Sequence, residues 1–294
     1  MKSFLRAIKV VLAVVFFVFS LLACRSQDND DIVVPKPKPK QPSIELKWSK
    51  VEFRFTEGHS HGYFHGSPEY PGVKYLKSVQ KFFFENKNGQ IVPSADNPAA
   101  LSVMSADGGL SLYGLEIFYY NEKGERINSV LASDEAAKQY QHFFLMENIV
   151  AISGGTVVPN KEIMTYKYRD TNPENKYIYK SFGGQRDAKI RPEKIGLKGF
   201  FDVKKPYLNF DLRIVLAQFG QKPDNLEYDK LPSASFDKKL DIKIPVHIYT
   251  DRINEDSLIE DAMREFGVTE AEIKADINAK LDSKVNPESS GVFL

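Results

Sequence analysis

The stretch Val51-Glu52-Phe53-Arg54-Phe55-Thr56-Glu57-Gly58-His59-Ser60-His61-Gly62-Tyr63-Phe64-His65-Gly66 begins as a strict alternation of apolar and polar residues. A period of two puts Val51, Phe53 and Phe55 on one face of an extended strand, the pattern of a sheet with one face in a core. Continued in the same register, that face carries Glu57, His59, His61, Tyr63 and His65, while Gly58, Ser60, Gly62, Phe64 and Gly66 take the other. An apolar face therefore hands over to a carboxylate and to three of the chain's five histidines. Burying such a set is costly without compensation. A metal ion compensates, because neutral imidazole is a good ligand for first-row transition metals.

Strand signals extend outward in both directions. Ile44, Leu46 and Trp48 alternate one step out of phase with Val51, Phe53 and Phe55, which predicts a β-bulge near Ser49-Lys50. Lys81 to Val92 holds an aromatic run, an Asn88-Gly89 turn and a returning strand; Ile117 to Ile127 repeats the plan around Gly124. Ser133 or Asp134 can cap one helical turn or two up to Gln139. Further strands are expected at His142–Met146, Gly199–Val203, Leu208–Phe219 and Asp241–Tyr249, with Pro245 marking an edge or a bulge. Arg169 to Asn175 reads as a polar loop. Near the C-terminus, Ser257-Leu258-Ile259-Glu260 and Thr269-Glu270-Ala271-Glu272 both match a capping box, and Gly267 fits a helix end.

These signals predict a mainly β fold: antiparallel β-sandwich module or modules with a short C-terminal helical pair. Residues 44–170 form a first module and 171–250 a second or its continuation. Residues 251–283 are helical and 284–294 a loose tail. A formal charge of +1 over 294 residues gives no electrostatic ground for a nucleic-acid partner. The single cysteine, Cys24, excludes an internal disulfide and a cysteine-ligated metal centre in the body.

Residues 1–23 join a basic start (Lys2, Arg6, Lys9) to the apolar run Val10–Ala23, the architecture of a secretory signal peptide. Leu21-Leu22-Ala23-Cys24 resembles the lipobox of bacterial lipoproteins. That resemblance implies cleavage before Cys24 and a lipid carried by the new N-terminal cysteine, hence a membrane partner through the anchor. The acidic run after it, Arg25 to Asp31, resembles the export tether of surface-exposed lipoproteins of the Bacteroidota, which implies an outer-membrane lipoprotein facing outward. Residues 24–43 form a tether whose Pro35–Pro42 segment alternates Pro with Lys and favours polyproline II. Fully extended, it reaches about 60 Å. Cleavage removes three cations and no acid, taking the formal charge from +1 to about −2.

The candidate site is His59, His61 and His65, with His142 or Glu57 as the closing ligand; zinc or copper suits the donors best. His142 shares parity with Tyr140, Phe144 and Met146 and so points inward. His247 shares a mixed face with Asp241 and Lys243 and is left out. The spacing is HxHxxxH and lacks the helical general base of a zinc protease. The expected function is a lipid-anchored envelope protein that binds a transition metal and hands it to an outer-membrane transporter. A non-catalytic protein-, glycan- or haem-binding surface module is the second class and a metal-dependent hydrolase the third; enzymatic activity is the less favoured expectation. The address has its own test. Palmitate label should enter the chain and be lost on Cys24→Ala; label that survives the substitution removes the anchor.

Overall fold

The computed structural model describes residues 43–60, 62–66, 79–106, 112–180, 184–251, 259–260, 263–264, 267–281 and 291–294. The protein is mainly β, with antiparallel sheets, one of which curls into a half-barrel. Strand β1 (Lys50–Ser60) is the stretch that opened the sequence, and it organises the larger sheet. On one edge it pairs with β3 (Val79–Lys87) along Lys50–Thr56 and then with β2 (Phe64–Gly66) along Gly58–Ser60. On its other edge β6 (Leu112–Tyr120) pairs along Lys50–Gly58. β4 (Gln90–Pro93) returns from β3, and β5 (Leu101–Ser105) leaves for the second sheet.

Two single-turn helices, α1 (Asn128–Leu131) and α2 (Asp134–Ala137), follow β6. Then come β7 (Tyr140–Ala151), β8 (Met164–Tyr168), β9 (Thr171–Asn172), β10 (Lys189–Ile190) and β11 (Lys198–Val203). The chain closes with β12 (Leu208–Gln218), β13 (Asp237–Asp251), α3 (Glu270–Leu281) and β14 (Val292–Phe293). The larger sheet runs β14-β2-β1-β6-β11-β8, and the smaller β5-β13-β12-β7; β9 and β10 form a separate two-stranded piece. The one parallel pairing among the described strands is β13 with β5. Gln41–Leu294 is one compact unit, and strands from both sides of residue 170 share each sheet.

The alternating residues explain the core. Val51, Phe53 and Phe55 of β1 and Leu115, Ile117 and Tyr119 of β6 join Leu212, Ile214 and Leu216 of β12 and Ile242, Ile244 and Ile248 of β13 in one buried cluster. Phe53 and Phe55 meet Phe84 and Phe82 of β3 edge-to-face, with centroids 5.8 and 6.0 Å apart. Each buried phenylalanine of this kind contributes roughly 2–3 kcal/mol. Trp48, 7% exposed, packs edge-on to Tyr119 at 5.7 Å and donates its indole N–H to the Lys239 carbonyl.

Several local expectations are met. Asn88 and Gly89 both have positive φ, as a two-residue hairpin turn requires. Ser133 Oγ caps α2 by accepting from Ala136 N. Thr269 and Glu272 form their reciprocal capping box, and Gly267 has φ +64°. β13 is interior to its sheet, but Pro245 precedes the start of the β5 ladder at Val246, so at that residue the strand is paired on the β12 side alone. The other capping box starts at Ser257, outside the described residues, as do Cys24 and the tether.

Three expectations are corrected. No bulge interrupts β1: the phase slip falls where the strand begins, at Lys50, after an irregular segment that buries Leu46 and Trp48 on its own. The second hairpin does not form. After the Gly124 turn, the chain makes one bridge, Tyr120 with Arg126, and enters α1, because the Asn128 side chain takes the place of a strand. It accepts from Tyr119 N at 2.8 Å and donates to Ile117 O at 2.7 Å. Last, the end of the stretch read as a loose tail is structural: Val292, Phe293 and Leu294 are buried, and Phe64 and Leu294 exchange both backbone hydrogen bonds. Two residues of strand are too few for periodicity to show.

Phe293 is fully buried against His65 and holds the β2 edge. Phe293→Ala should cost about 3–5 kcal/mol locally. Amide exchange at Phe64 and Leu294 should rise far more than in β12; equal protection of these amides in the native and Phe293→Ala chains would show that β14 does not hold β2.

Candidate functional site

β1 leaves the core face at Glu57, which is 1% exposed, and reaches His59, which is half-buried. The chain reverses at Gly62, whose φ of +87° favours glycine, and returns as β2. The register then sets His65 directly opposite His59. Their rings stand with centroids 5.0 Å apart at 65°. Phe293, opposite His65 on β14, packs its ring 4.7 Å away on the other side.

The flanking glycines have a separate purpose. Gly58 and Gly66 are cross-strand partners, and Gly114 lies beside them on β6. A Cβ built on Gly58 or Gly114 would lie 2.7 or 2.5 Å from the Phe64 ring. The glycines form a floor on which Phe64 lies, stacked on Phe200 at 5.6 Å and 20°. Close packing of a buried aromatic, and no need for looseness, accounts for Gly58 and Gly66; only Gly62 is required by the turn. Phe64 and the two histidines project from opposite faces, as parity demands.

The 5.0 Å separation is an ordinary edge-to-face packing distance and is also compatible with an ion shared between two ring nitrogens. A nitrogen–zinc bond of about 2.0–2.1 Å puts each ring centroid roughly 3.2 Å from the metal, and two such rings at a tetrahedral angle lie about 5 Å apart. The remaining donors are another matter. Among the described residues no three His, Cys, Asp or Glu side chains stand together as a metal would need, so Glu57 does not complete a site with His59 and His65. His61 lies outside the described residues.

His142 does not join the cluster. It sits on β7 in the smaller sheet with no exposed surface. The Ile195 carbonyl can only accept, so Nδ1 donates to it at 2.9 Å; Nε2 then accepts from the Tyr119 hydroxyl at 2.8 Å. Both nitrogens are used. Tyr119 is moreover opposite Val51, eight residues of strand from His59, or about 26 Å at ~3.3 Å per residue. Inward parity held for His142, and a hydroxyl and a carbonyl satisfy it. His247, left out from the start, is a half-buried sheet-surface residue whose Nδ1 meets Asn209 Oδ1.

Two buried polar centres carry no motif. Asp170, 3% exposed, accepts from four successive backbone amides, Ile195 to Lys198, at 2.8–3.2 Å. Burial pushes its pKa up, against the pull of those four amides. On the outer face of the larger sheet, Glu116 and Lys198 are 3% and 4% exposed. Glu116 accepts from the Tyr177 hydroxyl at 2.9 Å; Lys198 Nζ donates to Thr171 Oγ1 and to the Lys176 carbonyl at 2.9 and 2.7 Å. Burial raises the Glu116 carboxyl and lowers the Lys198 ammonium. Their partners come from the 171–177 segment, so this centre clamps that segment to the sheet. Asp170 lies within the polar run Arg169 to Asn175, and a carboxylate held by main-chain amides leaves no side-chain pattern to find.

Comparison with protein-family models, with curated proteins and with solved structures finds no match for the chain.

Burial pushes the His142 pKa down from 6.5 to about 4. The unfolded chain binds this proton below about pH 6.5 and the folded protein only near 4. Stability therefore falls as pH drops through that window, by about 3 kcal/mol from this group. Urea midpoints at pH 7 and 4.5 should show the loss. His142→Gln keeps a donor and an acceptor and should flatten the slope; an unchanged slope would place the titration elsewhere.

Proposed function

We propose that this chain is a lipid-anchored protein of the bacterial envelope that binds a transition-metal ion at the β1–β2 turn through His59, His61 and His65. The observation that carries the proposal is the facing pair His59 and His65, whose ring separation of 5.0 Å suits one shared ion. His61, two residues beyond His59, is the third donor in this account, in place of His142 and Glu57. Zinc or copper suits an all-imidazole set. The address at Cys24 and the tether supports an outer-membrane, outward-facing location. There the ion would be taken from the surroundings and handed to an outer-membrane transporter. The body reads as an antiparallel β-sandwich, since both sheets fill one core. In this account binding and transfer, without bond-making chemistry, are the function.

Elemental analysis of the protein purified without a polyhistidine tag should find about one zinc or copper per chain. His59→Ala and His65→Ala should each cut affinity at least tenfold, while His142→Gln leaves the content unchanged. A native protein with no stoichiometric metal that gains none on titration would sink the proposal.

A further inference from the structure

β8 ends the larger sheet: β11 pairs with it along Gly199–Val203, and no described strand takes its other side. A groove of about 460 Å³ runs between that edge and the 225–228 segment, whose Tyr228 ring packs 6.1 Å from that of Tyr166 and would have to swing aside for a strand to add. Tyr166 and Tyr168 line it from the core face, and Lys167 and Arg169 from the outer face. Lining by both faces of one strand is what a groove along a strand edge must show, because successive side chains alternate.

Its charge is one-sided. Lys161, Lys167, Arg169, Arg191 and Lys194 surround it, with Glu227 the lining acid. Glu227 pairs with Lys161 at 2.8 Å, and Arg191 pairs with Asp134 outside the groove at 2.7 Å. Lys167, Arg169 and Lys194 have no carboxylate partner among the described residues. Lysines on an edge strand also guard against edge-to-edge pairing. A guard needs only exposed charge, whereas Arg169 is half-buried, its Nε is buried without a hydrogen-bond partner, and its guanidinium lies 5.5 Å from the Phe200 ring. The Phe200 ring offsets part of that burial, but no described carboxylate does, and an incoming anion would.

We propose that the open edge of β8 captures an extended acidic segment of a partner protein, which adds as a strand and sets its carboxylates among Lys167, Arg169 and Lys194. Main-chain bonds to the edge give affinity, and the cations select the sequence. The same cations disfavour a second copy of this chain, since edge-to-edge pairing would bring Lys167 and Arg169 against like charges. The inference is independent of the histidine turn.

The test uses the full chain in detergent and fluorescence anisotropy at low salt. The probes are a ten-residue peptide alternating Glu with Val, the same peptide N-methylated at alternate residues, its Lys–Val counterpart, and a sulfated oligosaccharide. The Glu–Val peptide should bind. N-methylation should weaken it at least tenfold, as should Lys167→Glu, an exposed change that spares the fold. The Lys–Val peptide should not bind, and His59→Ala should bind the Glu–Val peptide as the native chain does. Absence of binding would overturn the proposal. So would equal binding of the N-methylated peptide, which means charge without strand addition, or tighter binding of the sulfated oligosaccharide, which makes the groove a glycan site.

Discussion

One carboxylate holds the two sheets in relation to each other. Asp170 gathers the amides of Ile195, Gly196, Leu197 and Lys198, and so bends this segment into a fixed arc. The arc's carbonyls point outward. Ile195 O receives both the main-chain N–H and Nδ1 of His142 on β7, and Leu197 O receives Ile117 N on β6. A four-residue bridge thus bonds to the smaller sheet on one side and to the larger on the other. Only glycine passes at its centre: Gly196 has φ +86°, and an added Cβ would lie 2.9 Å from that of His142. Apolar contact between sheets tolerates sliding; hydrogen bonds to one buried acid do not.

The same economy governs the buried charges. Tyr168 donates to His142 O at 2.7 Å, and Lys222 donates to the Ala137 and Tyr140 carbonyls beside it. Lys198, whose amide serves Asp170, turns its ammonium the other way to clamp the 171–177 segment. These polar groups near the seam are answered by main chain or by a hydroxyl, while the Tyr166 hydroxyl is buried there without a partner among the described residues. That is why the seam can be polar without opening to water. The edge of β8 is the contrast, since Arg169 lies one residue from Asp170 and lacks such an answer.

The sequence made the strands legible because a period of two survives in β1, β12 and β13, where one face meets the core from Val51 to Phe55, from Leu208 to Leu216 and from Leu240 to Ile248. Turn and cap chemistry was legible at Asn88-Gly89, Ser133 and Thr269, where one residue type satisfies one local geometry. Contacts made at a distance were not. Asp170 looks like any acid in a polar run, Asn128 like any helix-start residue, and β14 like a frayed end. Glycine has a local reason at Gly62, where the chain turns with positive φ, but not at Gly58 and Gly66, because a floor for an aromatic ring needs neighbouring strands to be known. At the candidate site, the register that pairs His59 with His65 depends on where the turn falls, and parity alone placed them on one face without making them neighbours.

Trp48 is the chain's one tryptophan, and its place is useful. Its indole packs on Tyr119, whose hydroxyl bonds to His142, which in turn holds the arc around Asp170. The emission of a single buried indole is thereby tied to the seam between the sheets. It lies three residues before Val51, at the end of β1 remote from the His59 turn. The molecule carries its own optical gauge of sheet–sheet docking, well separated along the strand from its histidines.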